Sequence, residues 1–173
     1  AGGKVTVDPQ YRAKSLYLYE IPADKYHGED AMFLYIAKVE DVSVYSYRRV
    51  LSGECWENVL TACQEADAAL PGEWKVLRFV VEEGACESKY NSTTYIDTMN
   101  AAATKRFIEL THEAYKKHCG ERLGRSIRGI FTDEPHRGNM LDNYHKAADG
   151  TVSCAVCYTE DIFEEFKSRY QYD

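Results

Sequence analysis

Residues 14–21 alternate, with Leu16 and Leu18 on one side of an extended chain and Tyr17 and Tyr19 on the other. Residues 31–40 repeat the pattern, setting Phe33, Tyr35 and Ala37 against Met32, Leu34 and Ile36. Glu40-Asp41 then makes a tight turn into residues 42–51, where Val42, Val44, Ser46 and Arg48 oppose Ser43, Tyr45, Tyr47 and Arg49. Links this short cannot carry parallel crossovers, so these strands read as an antiparallel meander. Trp56, Val59, Leu60, Cys63 and Ala66 then recur at helical spacing, and Pro71-Gly72 ends that helix. Residues 74–81 form a fourth strand before a polar loop over 82–92.

The second half follows another rhythm. Residues 94–98 predict a short strand, and Asn100 caps a helix over 101–119 that stops at Gly120. Phe107, Leu110, Thr111, Ala114, Tyr115 and His118 share its apolar face; His112 falls off that face and is given no catalytic role. The apolar run from Ile127 to Phe131 reads as a buried strand, ending in Asp133-Glu134-Pro135. Pro135 disfavours helical backbone at Glu134 and so keeps it extended at the strand end. Helix, loop, strand and terminal acids together make one unit of a parallel α/β barrel or open α/β sheet, where chemistry sits at the strands' carboxyl ends. Residues 137–150 read as a polar, irregular loop above it, and Thr159 caps a last helix running to about Tyr170. Near the start, Asp8-Pro9 begins a short helix.

The expected fold is therefore α/β: a partial (β/α) TIM-type barrel of residues 1–14 and 86–173, with an inserted antiparallel β appendage over 15–85. Only two strand–helix units are evident, and a closed barrel needs eight. Exposed strand edges in such a partial barrel would favour a homodimer.

The net charge of −7 in 173 residues argues against a nucleic-acid partner, which needs a basic face. No apolar stretch approaches the roughly 18 residues of a membrane span. The six cysteines do not form a disulfide framework for a chain of this size, and free thiols in a reducing, cytoplasm-like compartment are expected. Cys154 and Cys157 form the one CxxC; without a second pair a zinc site would have to recruit His136 or His145, and two incidental thiols are the simpler expectation. The chain opens on Ala1-Gly2-Gly3 without an initiator Met, so it is expected to be part of a longer protein.

Three words of sequence point further: Tyr95-Ile96-Asp97-Thr98-Met99-Asn100, the helix containing Phe107-Ile108-Glu109-Leu110-Thr111-His112-Glu113-Ala114-Tyr115, and Phe131-Thr132-Asp133-Glu134-Pro135. In this order they resemble a mostly bacterial group of glycoside hydrolases related to the α-L-rhamnosidases and often labelled family-2-like. There a YVDTLNP-like strand end leads into FIELTHEAY and then FTDEP. Residues 1–16 and the closing Phe166-Lys167-Ser168-Arg169-Tyr170-Gln171-Tyr172-Asp173 are also similar, with Gln171 where the group has glycine.

The resemblance implies a carbohydrate substrate, no cofactor, and the remainder of a parent enzyme as partner. Glycoside hydrolysis uses two carboxyl groups flanking the bond to be cleaved. Asp133 and Glu134 are neighbours whose side chains diverge on a strand, so they cannot be that pair. The resemblance makes Glu134 the proton donor, with Asp133 binding substrate hydroxyls or raising the Glu134 pKa by like-charge repulsion. The second carboxylate would lie outside this chain, leaving it inactive alone. Asp97 is the best second carboxylate within it, or else an acid bonding the first turn of the following helix. Tyr95, Asn100 and His136 are candidate sugar contacts. Adjacent acids also suit a calcium ion. Two other classes remain open: a non-catalytic carbohydrate-binding or scaffold domain, and a metal-dependent hydrolase using Asp97, Asp133, Glu134 and His136.

Overall fold

The computed structural model describes residues 2–131 and 144–172. The chain divides into two compact units, one of Ala1–Ser15, Glu83–Met140 and Cys157–Asp173, the other of Leu16–Glu82 and Leu141–Val156. Leu141–Val156, read from the sequence as part of the 86–173 stretch, thus groups with the inserted strands.

Six strands form one open antiparallel sheet: β1 (Lys14–Pro22), β2 (Phe33–Glu40), β3 (Ser43–Arg49), β4 (Glu73–Glu83), β5 (His145–Lys146) and β6 (Val152–Tyr158), in the order β3-β2-β4-β1-β6-β5. The alternating stretches become β1 to β4. β2 lies between β3 and β4, antiparallel to both, and its run from Ile36 to Val39 is buried. Register sets Ile36 opposite Val76, and both are fully buried. The amphipathic helix α2 (Trp56–Ala66) lays Val59 and Cys63 against them, and Trp56 meets Tyr26 edge-on at 5.0 Å. Each such aliphatic side chain contributes about 1.5–3 kcal/mol by leaving water. Lys38 is buried along its stem, its ammonium 5.1 Å above the Trp74 ring. Gly72 has φ +95°, and a Cβ there would lie 2.6 Å from the Val39 carbonyl oxygen, so the turn after α2 admits glycine alone.

The other unit contains α1 (Gly2–Val5), a 3-10 turn at Pro9–Tyr11 started by Asp8, and a continuous helix from Ala101 to Cys119. That helix comprises α3 (Ala101–Ile108), a π turn (Glu109–Glu113) and α4 (Ala114–Cys119). Val5, Ile96 and Ala103 form its buried core. The last helix, α5 (Ile162–Tyr170), begins after Asp161, and Thr159 contributes its backbone carbonyl to Ile162 N–H rather than a side-chain cap.

The expected TIM-type barrel is not what the chain forms. Residues 94–98 make no parallel ladder, because Ala13 N–H donates to Tyr95 O and Asp97 N–H to Tyr11 O. These groups are occupied by an antiparallel bridge between Arg12 and Ile96. Residues 127–131, expected as a buried strand, make a single bridge from Ile127 to Leu123 and are otherwise irregular. Ile130 is 68% and Phe131 85% exposed, so the apolar run has no sheet to enter. Conversely, part of the 137–150 stretch read as loop is a strand, since β5 pairs with β6.

Candidate functional site

A cleft of about 860 Å³ opens in the unit built on the long helix. One wall is the segment from Lys89 to Thr98. Gly3 lets the chain close there: a Cβ would come within 2.6 Å of the Tyr90 carbonyl, so α1 rests directly on the 3-10 turn Ser88–Tyr90. Thr6 and Thr93 share a 2.6 Å hydroxyl bond beside it. Tyr90 and Tyr95 meet edge-to-face at 5.4 Å and both line the cleft. Lys89 lines it too, but its ammonium lies 2.8 Å from Glu87 and 5.0 Å from the Tyr90 ring centre. The Glu87 carboxylate holds that lysine above its ordinary pKa, so the cation stays charged and paired.

The opposite wall is the helix. Asn100 starts it, its side-chain oxygen accepting from Ala102 N–H (2.9 Å) and Ala103 N–H (3.1 Å). Phe107, Thr111, His112 and Tyr115 face the cleft. In α geometry His112 would stand about 140° round the helix from Phe107, which is why its position in the sequence argued against a role. The π turn inserts a residue and brings position i+5 round, so the Phe107 and His112 rings meet at 5.8 Å. No periodicity in the sequence announces such a turn. Ile127, Ile130 and Phe131 complete the lining.

Tyr95 is the candidate that the structure places in the cleft. Asp97 is 6% exposed and lies outside its lining; Oδ1 accepts from Met99 N–H (3.0 Å) and Asn100 N–H (3.2 Å). It therefore ties down the turn that leads into the helix and reaches its cap residue, one position short of the first helical turn. Asn100 is a cap, and its Nδ2 donates to the Gln10 carbonyl at 3.3 Å. Asp133, Glu134 and His136 lie outside the described residues. Among the described residues no three His, Cys, Asp or Glu side chains cluster to hold a metal ion, and no helix is long and apolar enough to cross a membrane. Cys154 and Cys157 stand three apart on β6 and so point to opposite faces, which does not suit a shared ion. None of the six cysteines is in a disulfide.

No family model, curated protein or solved structure matches the chain. The cleft's own chemistry is what describes it. Among the described residues its lining is aromatic and furnished with hydroxyls, and the Lys89 ammonium in it is paired with Glu87.

Proposed function

We propose that this cleft binds a neutral carbohydrate and that the chain works as part of a glycoside hydrolase, with Glu134 as proton donor and the second carboxylate supplied from outside the chain. The observation that carries the reading is the lining: Tyr90, Tyr95, Phe107 and Tyr115 offer ring surface for the C–H face of a sugar, and Thr98 and Thr104 offer hydroxyls. Its volume lies within the roughly 300–1,000 Å³ range of small-molecule sites. With Lys89 engaged by Glu87, the described lining offers an anion no unpaired lysine or arginine. Phe131 lines the cleft and precedes Glu134 by three residues in sequence, and Asp133 is the candidate for adjusting Glu134 or binding hydroxyls. The motif resemblance to α-L-rhamnosidase-related enzymes supports the reaction class.

A non-catalytic carbohydrate-binding domain is the second reading, favoured by the engagement of Asp97 in the helix start, which leaves the described lining without a carboxylate. Titration of the chain with methyl glycosides, followed by tyrosine fluorescence, should show saturable binding that Tyr95→Ala weakens. In the enzyme that carries this chain, Glu134→Gln should lower aryl glycoside hydrolysis by about a hundredfold or more. Unchanged hydrolysis would remove Glu134 from the mechanism, and absence of binding by any glycoside would remove the carbohydrate reading.

A further inference from the structure

The hydrogen bonds around His112 favour one tautomer of its ring. Thr111 Oγ1 lies 2.5 Å from the Phe107 carbonyl oxygen and 3.0 Å from His112 Nδ1. A carbonyl has no proton to give, so the single Thr111 hydroxyl proton goes to Phe107. Towards His112, Thr111 can then only accept, and Nδ1 must carry the hydrogen of the neutral ring. Nε2 is left as a bare acceptor, without a hydrogen-bond partner among the described residues. The Phe107 ring against one side and the bond at Nδ1 fix how the imidazole stands in the cleft wall.

We infer that His112 is the specificity-determining residue of this cleft: its Nε2 accepts a hydrogen bond from a donating hydroxyl of the bound sugar, and Thr111 is the positioning residue that selects the tautomer. This rests on the carbohydrate reading above and goes beyond it by naming the polar contact. Thr98, Thr104 and the tyrosines of the lining can turn their hydroxyls to donate or accept, so they discriminate weakly. An imidazole whose Nδ1–H is engaged by Thr111 presents Nε2 as an acceptor only. A sugar bearing a hydroxyl at the matching position is held, and its deoxy or O-methyl analogue meets an unpaired acceptor. The π turn has a purpose in this account, since it brings Thr111 and His112 to the wall together.

The test is nitrogen NMR of the 15N-labelled chain in mildly alkaline buffer. The probes are methyl α-L-rhamnoside, methyl β-D-galactoside, methyl α-D-mannoside and methyl β-D-glucoside. The free protein should show His112 as the Nδ1–H tautomer, in wild type and Thr111→Ser alike, and a tautomer mixture in Thr111→Val. At least one glycoside should shift the Nε2 resonance, and His112→Phe, which keeps a ring but removes the acceptor, should weaken its binding roughly threefold to tenfold. A dominant Nε2–H tautomer in the free protein would overturn the inference. So would a glycoside that perturbs Tyr95 and Tyr115 but leaves Nε2 and the His112→Phe affinity unchanged, and that result would spare the carbohydrate reading. Absence of any perturbation by all four probes would overturn both.

Discussion

The backbone N–H of Asn100 donates to Asp97 Oδ1 at 3.2 Å, so the residue that caps the long helix is itself held by the carboxylate before it. Met99 N–H shares that oxygen, and Asn100 passes the support on to Ala102 and Ala103. Asp97 and Asn100 therefore act in series on one helix start.

Asp97→Ala should destabilise the unit by about 1–3 kcal/mol, because it strips an acceptor from two N–H groups at a buried site. Asn100→Ala should cost about 1 kcal/mol as a lost cap. The double variant should lose less than the sum, since both serve the same turn. Urea unfolding followed by helical circular dichroism measures all three; strict additivity would show that the two residues act independently.

Gly72→Ala should cost more than about 1 kcal/mol, because alanine meets both a left-handed backbone and a carbonyl oxygen at 2.6 Å. Gly53→Ala is the control, with a similarly positive φ of +86° and open space around the Cβ, and should cost less. Equal thermal shifts in the two variants would mean that Val39 yields freely.

Thiol chemistry should separate the cysteines by burial. Cys55 and Cys86 are exposed, whereas burial of Cys63 against the sheet pushes its thiol pKa up. Brief iodoacetamide treatment and mass spectrometry should find Cys55 and Cys86 modified in the native protein and Cys63 only in denaturant. Mild oxidation should not link Cys154 to Cys157, since residues three apart on a strand are about 10 Å apart, beyond the roughly 7 Å limit for a disulfide.

The Lys14 ammonium donates to Glu160 and holds its carboxyl below the ordinary glutamate range. A depressed folded-state pKa means that this contribution is present above the unfolded value and lost as pH falls through the folded one. Glu160 is 64% exposed, so the effect is small and screened by salt. Lys14→Met should lower the unfolding midpoint at neutral pH, and the gap from wild type should close on acidification or in high salt. A gap independent of pH would assign the loss to packing of the lysine stem instead.

The strands from Lys14 to Glu83 were legible because their side chains alternate over a half-covered sheet, and that periodicity is a local property. The helix from Ala101 to Cys119 was legible for the same kind of reason, with Asn100 before it and Gly120 after. Both of its ends lay in the chemistry of single residues, independent of any partner.

What residues 94–98 and 127–131 do was decided only in three dimensions. An apolar run states that burial is favourable, not which surface supplies it. The backbone around Tyr95 is claimed by Tyr11 and Ala13, more than 80 positions away, and Phe131 finds no sheet at all. The same holds for the cleft. Tyr95 could be named from the sequence, but His112 could not, because one inserted residue in a helical turn reassigns which side chains share a wall. Periodicity determined the elements; long-range competition for backbone hydrogen bonds determined the sheet, and a π turn determined which helix side chains line the cleft.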